Sequence, residues 1–408
     1  MGKSPQGWLR VSIINLLIVS FVGVILRYKI AFSLPFIDQK HLLHAHSHFA
    51  FAGWINQAIM ALIIHAISSN TDSVAFKKYR PLLYINLITA YGMLISFAIA
   101  GYSLFSIGFS TISIINSYIF GIMVWKDLNN PNQQLYSYSW YKAGILFNML
   151  SSLGAFTLSY LMANSSVNQN YYLLAVYTFL HFQYNGWFFF ICMGLFISQI
   201  EKIKAIQGSL QIAFWLLSIA CIPAYFLSAL WLPIPPVGFI IIVLAAFAQF
   251  AGWLLIVKSI YKNKEQFKIL FNSKGRWLLY LAAIALSIKL FLQLISTIPM
   301  LSRWAFGFRP IVIGFLHLML LGVLSLFIIG YLYAKELFKQ NFYTKMGSMV
   351  LVTGIIGNQL LLLVQGIEAM HYVGIPYLNE SLFIAAIVMF IGLVLLNIQS
   401  DWSHKTKN

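Results

Sequence analysis

Three short strings of the chain repeat one pattern. His48-Phe49-Ala50-Phe51-Ala52-Gly53-Trp54, His181-Phe182-Gln183-Tyr184-Asn185-Gly186-Trp187 and His317-Leu318-Met319-Leu320-Leu321-Gly322 each set a glycine five residues after a histidine, twice with tryptophan next. The histidines are 133 and then 136 residues apart. Neutral imidazole is the commonest protein ligand for transition metals and a standard ligand of heme iron. Three imidazoles at a fixed period therefore point to bound metal or heme. The alternative is three histidines bonded to Ser, Tyr or backbone carbonyls between helices. The glycine removes a side chain about one and a half turns further on, where a neighbouring helix or a flat ligand can come close.

The elements that carry these strings are membrane helices. Of the 408 residues, 60% are apolar and only 9% are charged, with a mean hydropathy of +0.82. Soluble domains carry about 25% charged residues, so a soluble enzyme, a disordered chain and a fibre are excluded. Irregular backbone facing lipid would leave its polar groups unpaired, which leaves an all-α polytopic membrane protein. About 20 apolar residues cross the bilayer core as helix. Twelve such runs are predicted, near 11–31, 44–67, 82–102, 106–125, 141–163, 173–197, 211–231, 237–257, 277–297, 310–333, 347–367 and 382–398. The first lacks a small-residue cleavage site and reads as a retained span. Loops near 258–276 and 126–140 are too short for an extramembrane domain.

Charge tests the count. With the N-terminus in the cytoplasm, 20 of the 26 Lys and Arg residues fall on cytoplasmic segments, as orientation by positive charge requires. The net charge of +17 is then an orientation signal facing lipid head groups, and no nucleic-acid motif accompanies it. Localisation in a bacterial inner membrane with both termini cytoplasmic is expected. The histidines of the three strings fall on spans two, six and ten, all running inward. Each lies roughly 5 to 9 residues into its span, or about 7–14 Å deep at 1.5 Å per residue. The chain is expected to be one transmembrane domain of three pseudo-repeated four-helix arcs, approximately 1–130, 131–265 and 266–408.

Other polar residues matter too, because polar groups in a span usually face the protein interior. His41, His44 and His48 share a helix face by their i, i+3, i+7 spacing. With His46 they offer either a copper or zinc site or a solvated rim cluster plus one deep ligand. Arg303, Trp304 and Arg309 precede span ten, where arginine forks suit carboxylates and head groups equally. Glu368 and His371 form an acid–imidazole pair at the outer end of span eleven, readable as a second shell, a proton exit or a rim hydrogen bond. Lys289, mid-span, must face a polar interior or snorkel. His65 sits at a cytoplasmic span end and His404 in the tail. Cys192 and Cys221 in apolar runs read as buried thiols.

Twelve spans in three arcs with histidines on helices two, six and ten resemble subunit I of the heme-copper oxidase superfamily, and most of all its divergent members with HxH followed by GW on helix two. The resemblance implies an oxidoreductase of respiration and electron transport, with heme iron as cofactor and copper beside it. It implies that His48 and His317 clamp a low-spin heme, that His46 is a weaker candidate, and that His181 is a copper ligand. Arg303 and Arg309 would meet heme propionates. Partners would be the lipid bilayer, an electron-donor protein and small accessory subunits. Two departures bear on the chemistry. The adjacent histidine pair of helix seven is missing from Phe214–Trp231, and Phe315 stands where helix ten would hold a high-spin heme. Asn185 stands where some oxidases have a tyrosine. Three-imidazole copper and a proximal iron bond are thereby lost, and electron transfer or small-gas or metal binding is the expected work. A full terminal oxidase or nitric oxide reductase, a twelve-helix secondary transporter and a copper-handling protein are the alternatives.

Overall fold

The computed structural model describes residues 4–68, 74–129, 135–164 and 168–398. Among these residues there is no strand, and twelve helices are long and apolar enough to cross a membrane. They are α1 (Gln6–Ala31), α2 (Gln39–Ser68), α3 (Phe76–Ala100), α4 (Leu104–Leu128), α5 (Tyr136–Ala163), α6 (Gln169–Ile200), α7 (Lys204–Cys221), α8 (Pro236–Lys262), α9 (Ser273–Ile295), α10 (Arg309–Ala334), α11 (Phe342–His371) and α12 (Leu378–Ile398). Each answers to one of the twelve predicted runs.

Boundaries differ where local chemistry decides them. Helix α2 begins at Gln39, earlier than the apolar run, because Asp38 caps it by accepting the His41 backbone N–H at 2.8 Å. That extension draws His41 into the helix ahead of His44. Helix α7 stops at Cys221 instead of continuing to Trp231, and Pro223–Ala229 winds as a 3-10 helix. Proline has no N–H for the ladder and clashes with the preceding turn. A further short helix, Lys264–Leu270, lies between α8 and α9, and Pro299–Gly307 precedes α10.

The chain packs as two compact units, Met1–Met123 with Ile328–Asn408, and Val124–Phe327. In the first unit α1 lies against α12 through Phe21–Phe390 and Tyr28–Phe383 ring contacts at 5.8 and 5.5 Å. Helices α11 and α12 close on a pair of glycines. A Cβ on Gly347 would stand 2.7 Å from the Gly392 carbonyl oxygen, the small-residue contact that brings membrane helices together. In the second unit α8 and α9 are joined by Trp253, which donates to the Ser287 hydroxyl at 2.8 Å. Helices α2 and α6 are the most enclosed. Their most apolar windows are 78% and 94% buried, against 44% or less elsewhere, so two of the three histidine strings lie on the most buried helices.

Candidate functional site

All three histidine strings break from α-helix at the same place. Ala50–Asn56, Phe182–Phe188 and Leu318–Ser325 are wound as π-helix, each starting one or two residues after its histidine. Twenty-two residues of π-helix far exceed the usual share of well under 1%. Single π turns tend to occur at functional sites. Widening a turn frees backbone carbonyls, and in each segment a side chain answers one. Asn15 donates to the Gly53 oxygen at 2.6 Å, the Cys221 thiol approaches the Asn185 oxygen at 3.8 Å, and the Ser325 hydroxyl donates to the Leu320 oxygen at 2.8 Å.

The first string is embedded in neutral polar side chains that ionisable residues alone do not reveal. Asn86 is fully buried and donates both to the Ala52 carbonyl at 3.0 Å and to the Gln57 amide oxygen at 2.7 Å. Its own oxygen accepts from Asn56 at 2.9 Å. Tyr91 donates to the Asn15 side-chain oxygen at 2.9 Å. The signal available in the sequence was a set of mid-span asparagines, since a buried amide in lipid must find partners.

The outer histidines of α2 divide between two neighbours. His48 stacks on Phe97 of α3, with ring centroids 4.2 Å apart and planes 13° from parallel. His44 meets the Tyr102 ring edge-on at 4.8 Å, and its Nε2 is buried without a hydrogen bond. His41 lies over Gly101, whose φ of +58° suits glycine and where a Cβ would fall 2.6 Å from the ring. His46 turns the other way, toward Gly23 of α1. The shared face of His41, His44 and His48 is therefore real, yet their rings pack on carbon. Among the described residues no three His, Cys, Asp or Glu gather as a metal site.

The second string forms a polar chain in the interior of its unit. His181 is 1% exposed, and both ring nitrogens are engaged. Its Nε2 lies 2.9 Å from the Cys221 carbonyl oxygen and its Nδ1 3.1 Å from the Asn185 amide nitrogen. A carbonyl only accepts, so Nε2 carries the proton and Nδ1 accepts from Asn185. The Cys221 oxygen is available because α7 breaks there, and the Tyr225 N–H turns to Ile222 instead. Beyond Asn185, its oxygen accepts from Lys289 at 2.6 Å, and Lys289 also donates to Gln293. Lys289 is 3% exposed, so the expectation of a polar interior holds and snorkelling does not occur. Gln183 adds bonds to Asn148 and Ser151 at 2.9 and 2.7 Å.

On α10, His317 is half-buried and its Nδ1 lies 2.8 Å from the Ile313 carbonyl. In the neutral ring this puts the proton on Nδ1 and the lone pair on Nε2, the arrangement seen when a ligating histidine is held by a backbone carbonyl. Arg309 is exposed at the first residue of α10. Arg303 falls in Pro299–Gly307, and its side chain lies outside the described residues, as do the side chain of Trp304 and all of His404. Glu368 accepts the Ile375 backbone N–H at 2.8 Å and ties down the loop after α11. Cys192 and Cys221 are both buried free thiols.

No family model matches the chain, and no curated protein matches it.

Proposed function

We propose that the chain is a heme-binding membrane protein, similar to subunit I of the heme-copper oxidases, in which His48 and His317 would hold the heme. Its work is electron transfer in a bacterial inner membrane, received from a donor protein. What supports the reading is the recurrence of one construction: a histidine, a π-helical segment opening directly behind it, and a glycine five residues on. The same recurrence supports three pseudo-repeated arcs.

The chain's own residues fit the role asked of them. The Ile313 carbonyl holds His317 in the tautomer whose Nε2 lone pair can meet a metal. Phe97 fixes the plane of the His48 ring, and none of the described residues hydrogen-bonds that ring. Arg309 supplies a cation at the start of α10 for a propionate. A heme held there would supply one-electron transfer rather than substrate chemistry. Terminal oxidase activity is therefore not part of the proposal.

The test is a visible spectrum of the purified protein in detergent. A sharp Soret band with a reduced α-peak, abolished in both His48→Ala and His317→Ala, supports the proposal. A protein without chromophore, or one whose spectrum survives both substitutions, removes it.

A further inference from the structure

The polar chain around His181 carries a separate conclusion, in which neither His48 nor His317 takes part. Hydrogen bonds run in one direction through it. Lys289 donates to the Asn185 oxygen at 2.6 Å, the Asn185 amide donates to His181 Nδ1 at 3.1 Å, and His181 Nε2 donates to the Cys221 carbonyl at 2.9 Å. Every lone pair and proton of the imidazole is spoken for. A metal at Nδ1 would have to displace Asn185, and Asn185 would then release Lys289. A metal at Nε2 would have to take the proton that bonds Cys221. In either case two or more buried partners lose their bonds, each at a cost of desolvation.

Lys289 closes the far end of this chain. A buried lysine needs partners for the donors it presents. Asn185 and Gln293 take two, and the Phe315 ring lies 5.8 Å away as a cation–π partner. Among the described residues no carboxylate pairs with it. Asn185 and Phe315, two positions at which the chain departs from the pattern it resembles, both meet Lys289.

We infer that the His181 site holds no metal, and that the Lys289 amine, linked to the imidazole through Asn185, instead holds the ring in its Nε2-protonated form. Two measurements on the full-length protein decide this. Protein stripped with chelator, reloaded with Cu(I) or Cu(II) and desalted should retain the same copper as its His181→Ala variant, whatever the outer histidines bind. A copper atom present in the wild type and missing from the variant overturns the inference.

Because His181→Ala strands the Cys221 carbonyl and Asn185, a second readout leaves the histidine in place. Nitrogen-15 spectra of histidine-labelled protein should show one ring protonated at Nε2 and bare at Nδ1. Its resonances should move in both Asn185→Leu and Lys289→Met and stay unmoved on adding copper. A ring without the Nε2 proton, one indifferent to Lys289→Met, or one shifted by copper contradicts the inference.

Discussion

Asn86→Leu tests whether side-chain amides hold the first π-helical segment in place. The substitution keeps the side chain's approximate size and removes three hydrogen bonds, two donated to Ala52 and Gln57 and one accepted from Asn56. Bonds between membrane helices are worth about 0.6 kcal/mol each on average, so their loss alone costs about 2 kcal/mol. The Ala52 carbonyl and the Gln57 oxygen then stay buried without these donors, and an orphaned group costs about 1–3 kcal/mol. Leucine regains part of this through apolar packing, and the net expectation is about 2–4 kcal/mol of lost stability. Unfolding by SDS in mixed micelles, followed by tryptophan fluorescence, measures it, since Trp54 inside the segment is 2% exposed. Ile85→Val, on the exposed side of the same helix, serves as a control expected within about 0.5 kcal/mol of wild type. An Asn86→Leu protein as stable as that control would refute the claim that the amide supports the segment.

Three further outcomes follow from single contacts. Gly186→Ala places a Cβ 2.5 Å from the Phe147 Cβ and should destabilise by about 1–3 kcal/mol; Phe147→Leu should not rescue it, because the clashing atom remains. Glu201, in the turn after α6, has its carboxyl pushed above the ordinary range by burial, partly opposed by the Ser137 N–H and hydroxyl. Its contribution to stability is present below the ordinary carboxylate value and is lost as pH rises through the folded value, so Glu201→Gln should flatten that decline in a pH series of unfolding curves. Asp38 behaves oppositely: the His41 N–H holds it below its ordinary value, so its capping is complete above that value and lost as pH falls through the folded one. Asp38→Asn should remove this acid-side fraying of the first turn of α2 in hydrogen exchange.

Much of this architecture was legible from composition. Lipid leaves a helix no choice but to close its own backbone bonds, so hydropathy located all twelve spans, while the cost of burial left Lys289 either a polar interior or snorkelling, of which the structure shows the first. The π-helical segments were not legible. Their side-chain spacing differs from α-helix by less than one residue per turn, and only the recurring histidine and glycine marked where they start. The stop at Cys221 was written in Pro223, yet the surrounding apolar run masked it. The amide cluster of Asn15, Asn56, Gln57 and Asn86 escaped because attention to charge passes over neutral amides, although in a membrane they need partners as well. The shared face of His41, His44 and His48 was readable from spacing alone, whereas spacing could not reveal that their rings rest on Phe97, Tyr102 and Gly101.

Heme content per chain tests the account most directly. Extracted heme should be present in the wild type and in His65→Ala, whose histidine lies at the far end of α2, and should be absent from His48→Ala and His317→Ala. A wild-type protein without heme, or equal heme in all four proteins, would contradict it.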